Sequence, residues 1–183
     1  AMLKELEKFN EEIATDGVPA FGMGLGINTD TVVVGNMGSS QRFDYTCLGD
    51  GVNLASRLEG QSKPYGVKII IGPKTAEYVK DEFQVLELDL IAVKGKTEPV
   101  KIYTVTSSKD VTASYIHEKF LNAYRTGDWA AAKFFIHGYP AKKVTGLKDC
   151  WGGEMAKYYD AMLERMEGSP PKNWDGVYRA TSK

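Results

Sequence analysis

Residues Arg42 to Glu59 read RFDYTCLGDGVNLASRLE. Phe43 to Leu48 reads as a strand, Gly49-Asp50-Gly51 is turn chemistry, and from Val52 to about Gln61 apolar residues recur at helical spacing. Asp50 stands where it can cap that helix. Asn53 and Arg57 lie one turn apart on it and so project from one face. An amide beside a guanidinium is a pair that can orient a sugar and bridge phosphate oxygens. Asn is also a mediocre helix former, which makes its place between Val52 and Leu54 informative. Taken one at a time, the two residues read as a solvent-facing Asn and an Arg in a surface pair.

Working outward, residues 2 to 14 place Leu3, Leu6, Phe9 and Ile13 at helical spacing, which predicts an amphipathic helix packed on something. Ala20 to Ile27 alternates glycine with apolar residues, so a backbone or bulky ring can come close there. Asn28-Thr29-Asp30 is read as a turn into the β-branched run Thr31 to Val34, the two runs forming a hairpin, with Gly35 to Ser40 as its exit turn. Val67 to Ile71 is a short strand, Pro73 opens a helix through Val79, Phe83 to Val93 is strand-like and Ile102 to Val105 closes the set. The expected class is α+β, one sheet covered by helices.

After Ser107 to Asp110 the pattern becomes helical, with Gly127-Asp128 as a break between two helices and a third from about Glu154 to Met166. Phe120, Tyr124, Gly127, Asp128, Trp129 and Ala132 resemble one tetratricopeptide unit, which cannot bury its own face and should dock elsewhere. Pro170 to Gly176 is read as an extended tail anchored by Trp174. The expected boundaries are 1–108, 109–168 and 169–183.

The composition is that of a globular chain of 183 residues, 43% apolar and 26% charged, with a formal net charge of −1. No basic stripe favours nucleic acid, so any phosphate must be held by a few placed cations. Two cysteines, Cys47 and Cys150, support neither a disulfide framework nor a zinc site and suit a reducing cytoplasm. No run is apolar enough to span a membrane. Ala1-Met2 leading at once into a helical pattern reads as a tag scar or an internal start.

Tyr45, Gly49, Val52, Asn53, Ala55, Arg57 and Glu59 in register resemble the signature of the class III nucleotidyl cyclases. The resemblance covers residues 2 to 106 and implies a ferredoxin-like sandwich, here incomplete, with its N-terminal strands absent. It implies that Asn53 orients the ribose and Arg57 stabilises the pentavalent phosphate. Thr46 falls at the purine-reading position, similar to a bacterial subclass of adenylyl cyclases. Val93-Lys94-Gly95-Lys96 matches the phosphate-contacting loop, with Lys94 the triphosphate ligand. It further implies Mg2+ or Mn2+, bound by aspartates in a portion preceding residue 2, and an active site shared between two subunits.

The expected activity is adenylyl cyclisation, ATP to 3′,5′-cyclic AMP and pyrophosphate, by a complete and dimeric enzyme, with this chain alone inactive. The expected partners are ATP and a second copy, as homodimer or swapped oligomer, with repacking of the C-terminal helices as the other outcome of exposed strand edges. The tail is similar to extensions on membrane-tethered bacterial cyclases, implying a cytoplasmic catalytic region on an anchored parent. Cys47, next to Thr46, keeps a guanylyl cyclase open, and a non-catalytic dimerisation or nucleotide-binding module is the third reading. Gly22-Met23-Gly24-Leu25-Gly26 continues as strand and is set aside as a dinucleotide loop. His117 and His137 have no acidic or cysteine partner at ligand spacing and are set aside as metal ligands.

Overall fold

A computed structural model describes residues 2–39, 42–93, 98–107, 109–138 and 145–179. The elements run α1 (Met2–Ala14), β1 (Leu25–Ile27), β2 (Val33–Ser39), β3 (Arg42–Leu48), α2 (Asp50–Gln61), β4 (Ile69–Ile71), α3 (Pro73–Val79), β5 (Gln84–Ile91), β6 (Val100–Thr106), α4 (Val111–Arg125), α5 (Trp129–His137), a 3-10 helix (Leu147–Gly153) and α6 (Ala156–Arg165). The class is mixed α+β, as expected. Pro73 sits in the first turn of α3, where its missing N–H is no loss.

The main sheet has the order β1-β4-β6-β5. β1 lies parallel to β4, and β6 is antiparallel to both β4 and β5. This corrects the expected hairpin of residues 20–27 with 31–34. β1 leaves the turn for the main sheet, while β2 pairs antiparallel with β3 as a separate two-stranded ribbon. Gly35 to Ser39, read as turn chemistry, is strand, because Gly35, Asn36, Met37 and Gly38 face Thr46, Tyr45, Asp44 and Phe43 in the ladder. Cross-strand pairing overrides the local turn preference there.

The core belongs to the sheet and the C-terminal helices. Leu58, Tyr65, Ile70, Leu88, Ile102, Phe120, Tyr124, Ile136, Tyr158, Tyr159 and Met162 form part of one buried cluster. The aromatic face of α4 and α5 therefore docks within the chain. Trp174 holds the tail as expected, its indole N–H donating to the Tyr124 carbonyl at 3.1 Å and its ring meeting Tyr124 and Trp129 edge-on. The first elements are different in kind. No residue of α1 is fully buried, and the helix is held by Asn10, which exchanges two hydrogen bonds with the backbone of Phe21, and by the ion pair of Glu7 with Lys68. On the ribbon Val33, Phe43 and Tyr45 are 67%, 62% and 76% exposed.

β5 carries a bulge between Glu87 and Asp89, and the C-terminal helices bond to each residue of it. His117 of α4 bridges the Glu87 carbonyl (2.6 Å from Nε2) and the Tyr159 hydroxyl (2.8 Å from Nδ1). The carbonyl can only accept, so Nε2 carries the proton and Nδ1 accepts from Tyr159. The Tyr158 hydroxyl donates to the Leu88 carbonyl at 2.7 Å. Asp89, fully buried, accepts from Tyr65 at 2.7 Å and from Arg165 at 2.6 Å, and Arg125 pairs with Glu87. Burial raises the Asp89 carboxyl above its ordinary value against the opposing pull of Arg165.

His117 gives this packing a pH dependence. Burial, and to a lesser degree the Arg125 charge, lowers its pKa from 6.5 to about 4, against the opposing influence of the Glu87 carbonyl and carboxylate. The unfolded chain takes up a proton as pH falls through 6.5, and the folded chain does so only near 4. Stability present above pH 6.5 is therefore lost across that window, by about 3 kcal/mol at full loss. Urea titrations at pH 7 and pH 4.5 should show the loss, and the His117→Gln chain should show a flatter profile between them.

Candidate nucleotide-binding face

α2 is seated by two glycines, one at its start and one beneath it. Gly49 has φ 155 and ψ 162, a conformation only glycine tolerates, and it turns β3 straight into the helix. Gly26 lies under the middle of α2. A Cβ there would sit 2.2 Å from the Ala55 carbonyl oxygen and 2.3 Å from the Glu59 nitrogen. The alternating glycines thus do let a backbone come close, and here it is the helix itself that crosses β1. Asn28 adds a bond from its side-chain amide to the Gly51 carbonyl at 3.2 Å. Asp50 does not cap the helix as expected. Gly49 occupies the cap position and Asp50 is already the first helical residue, where its charge still favours the helix N-terminus.

With Leu54 and Leu58 buried against the sheet, the opposite face of α2 presents Asn53 and Arg57 to solvent. Among the described residues, neither side chain has a hydrogen bond or ion pair. Thr46 is exposed on β3, opposite Gly35, and alternation along the strand places it on the face shared with Asp44 and Leu48. Cys47 takes the other face. It too is exposed. Asn53, Arg57 and Thr46 therefore all lie on open surface, on two elements joined through Gly49. Lys94 lies outside the described residues.

No group of three or more His, Cys, Asp or Glu among the described residues could hold a metal ion. The divalent ions implied by the cyclase signature have no donor set among the described residues. His117, set aside as a ligand, is a buried core histidine. No helix among the described residues is long and apolar enough to cross a membrane. Sequence reading passed over Asp89, Arg165 and Tyr178, which prove to hold β5. The one signal was the two acids, Glu87 and Asp89, inside the otherwise apolar run Val85 to Val93.

A family model described as "Adenylate and Guanylate cyclase catalytic domain" matches residues 1–107. The chain belongs to this family. Adenylate cyclase 1 of Rhizobium meliloti (strain 1021) is 38% identical over 105 residues, which is 57% of this chain and 16% of that protein. The adenylyl cyclase CyaB of P. aeruginosa superposes with a TM-score of 0.51 at 35% identity, covering 58% of this chain and 54% of that one. The guanylyl cyclase Cya2 gives 0.50 at 34% identity, covering 58% and 53%. The chain spans about a sixth of the length of the Rhizobium relative and about half of the two solved cyclase chains. The family match ends at residue 107, where the C-terminal helical pattern begins.

Adding a methyl at Gly26 should displace α2 or lose its seat, at a cost of about 1–3 kcal/mol for overpacking. Gly49→Ala should cost a similar amount, about 1–3 kcal/mol, through backbone strain. Denaturant midpoints of the two variants check both values, and unchanged midpoints would contradict this account of how α2 is held.

Proposed function

We propose that this chain supplies the ribose- and phosphate-orienting side of an adenylyl cyclase active site, completed by a partner subunit that carries the metal-binding aspartates. The observation that carries the reading is the open face of α2, where Asn53 and Arg57 stand exposed and without a hydrogen bond or ion pair among the described residues, within a cyclase signature. The ATP 3′-hydroxyl loses its proton and its oxygen bonds to the α-phosphorus. The bond from that phosphorus to the β-phosphate oxygen breaks, and pyrophosphate leaves. Asn53 orients the ribose, Arg57 takes up the charge that grows on the α-phosphate oxygens, Thr46 reads the purine amino edge, and Lys94 holds the triphosphate. Mg2+ or Mn2+ would be held by aspartates of the partner subunit and would supply charge neutralisation at the phosphates.

The partner surface is the apolar ribbon. Val33, Val34, Phe43, Tyr45 and Leu48 are all exposed, and β2 and β3 make their extensive contacts only with each other among the described elements. A second copy, or a swapped one, is the occupant in this reading. The catalytic region is cytoplasmic, where ATP is available, on a parent anchored to the membrane. A guanylyl cyclase is the second reading, favoured by the exposed Cys47 beside Thr46 and by the near-equal likeness to a guanylyl cyclase structure.

The test is cyclic AMP formation from ATP with manganese, for this chain alone and mixed with a cyclase whose Asn and Arg positions are mutated but whose metal aspartates are intact. Activity is expected only in the mixture. Asn53→Ala or Arg57→Ala in this chain should lower it by at least about 100-fold, the usual loss when a transition-state charge partner is removed. Cyclic GMP from GTP instead would favour the second reading. A folded chain inactive in both settings would point to a non-catalytic dimerisation or nucleotide-binding module. Sedimentation at micromolar concentration should show dimers or larger species, and Tyr45→Lys on the ribbon should shift them toward monomer.

A further inference from the structure

β5 is the edge strand of the main sheet, and the C-terminal segment covers that edge unevenly. From Glu87 onward the edge is filled. His117 donates to the Glu87 carbonyl and Tyr158 to the Leu88 carbonyl. The tail then adds as a short parallel strand, with the Tyr178 N–H donating to the Leu90 carbonyl at 2.8 Å and the Ala92 N–H to the Tyr178 carbonyl at 2.9 Å. Before Glu87 the edge is bare. Leu90, opposite Lys101, turns its carbonyl out of the sheet, and Val105 lies four positions along β6 from Lys101. Val85, opposite Val105, therefore turns its N–H and C=O outward as well. Among the described residues neither group has a partner there.

These groups border a cleft of about 370 Å³ between the start of β5 and α4, lined by Val85, Leu86, Tyr103, Ser114, Glu118 and Leu121 among others. That volume lies at the small end of the range for ligand pockets, about 300–1,000 Å³. Leu86 and Leu121 are buried in its wall. Arg125 lines it too. Its Nη2 is committed to Glu87, while its buried Nε has no partner. Glu87 is answered by both Arg125 and Lys101, whereas exposed Glu118 has no ion pair among the described residues. The uncompensated charge of the cleft is negative.

We propose that this cleft is a docking site for an extended segment of a partner protein, which adds to β5 at Val85 and sets a basic side chain on Glu118. The chain's own tail, added to the same edge at Ile91, shows that this edge takes a parallel strand. The main chain of the incoming segment pairs with the Val85 N–H and C=O, and one of its carbonyls accepts from Arg125 Nε. Its apolar side chains cover Leu86 and Leu121. β5 is at the opposite edge of the sheet from β1, which α2 crosses, so this partner leaves Asn53 and Arg57 open.

Hydrogen exchange at the Val85 amide, read by NMR on the full chain, tests the proposal. The probes are two acetylated, amidated pentapeptides of alternating Val and Thr, one with a central Lys and one with a central Glu. At saturation the lysine peptide should slow Val85 exchange at least about fivefold, with the Ile102 amide unchanged, and the glutamate peptide should not. Glu118→Lys, on the exposed side of α4, should reverse that preference. Ser114→Trp, which fills the cleft from α4, should abolish protection while the Ile102 amide still exchanges slowly; if this variant fails to fold, Glu118→Lys alone decides. No protection by the lysine peptide, or a preference that Glu118→Lys leaves unchanged, would overturn the proposal. Val85 protection that rises with the concentration of the chain alone would assign the edge to a second copy and overturn the partner as well.

Discussion

A fully buried carboxylate in the middle of a strand constrains most of what is packed around it. Asp89 is removed from water, and its charge is answered by Arg165, 76 residues later in the chain, and by the Tyr65 hydroxyl. Such a pair adds little net stability over an apolar one of the same shape, because both ions are desolvated. Its effect is on register. Only one placement of α6 on β5 brings the guanidinium to Asp89, Tyr158 to the Leu88 carbonyl and Tyr159 to His117, so the three contacts select a single docking of the extension. Removing either charge alone would leave the other buried and unanswered.

The β5 bulge is what makes this docking possible. A shift in register between Glu87 and Asp89 interrupts the ladder with β6, and the Glu87 and Leu88 carbonyls there are satisfied by side chains from the extension. Cyclase-family residues and the following helices therefore share one core. Tyr65 in the turn after α2, Leu88 on β5 and Tyr158 on α6 belong to the same buried cluster. The helices beyond residue 107 are part of the structural unit that carries α2.

Order is distributed unevenly over the chain. From Leu54 onward each element contributes buried side chains, whereas α1 and the β2–β3 ribbon leave apolar residues in water. The exposed face of α2 and the ribbon adjoin through Gly49, so the residues proposed for nucleotide chemistry stand beside the surface most in need of a partner. That arrangement suits a site built at a contact between subunits, where one surface supplies both binding energy and reacting geometry.

How much could be read beforehand follows the range of the interactions involved. The helix at Pro73, the Gly127-Asp128 break and the common face of Asn53 and Arg57 depend on residues a few positions apart, and their spacing carries the information. Asp128 even caps its helix through the Ala131 amide, a purely local event. The partner of β1, the strand character of Gly35 to Ser39 and the exposure of Cys47 depend on which distant strand is available, which no local pattern contains. The alternating glycines near Gly26 announced a close approach without saying of what. By itself, then, the sequence determined the cyclase signature, the α+β class and the helix that carries its polar pair. Only the tertiary structure decided that the C-terminal helices close on β5, because an ion pair spanning 76 positions leaves no trace in periodicity.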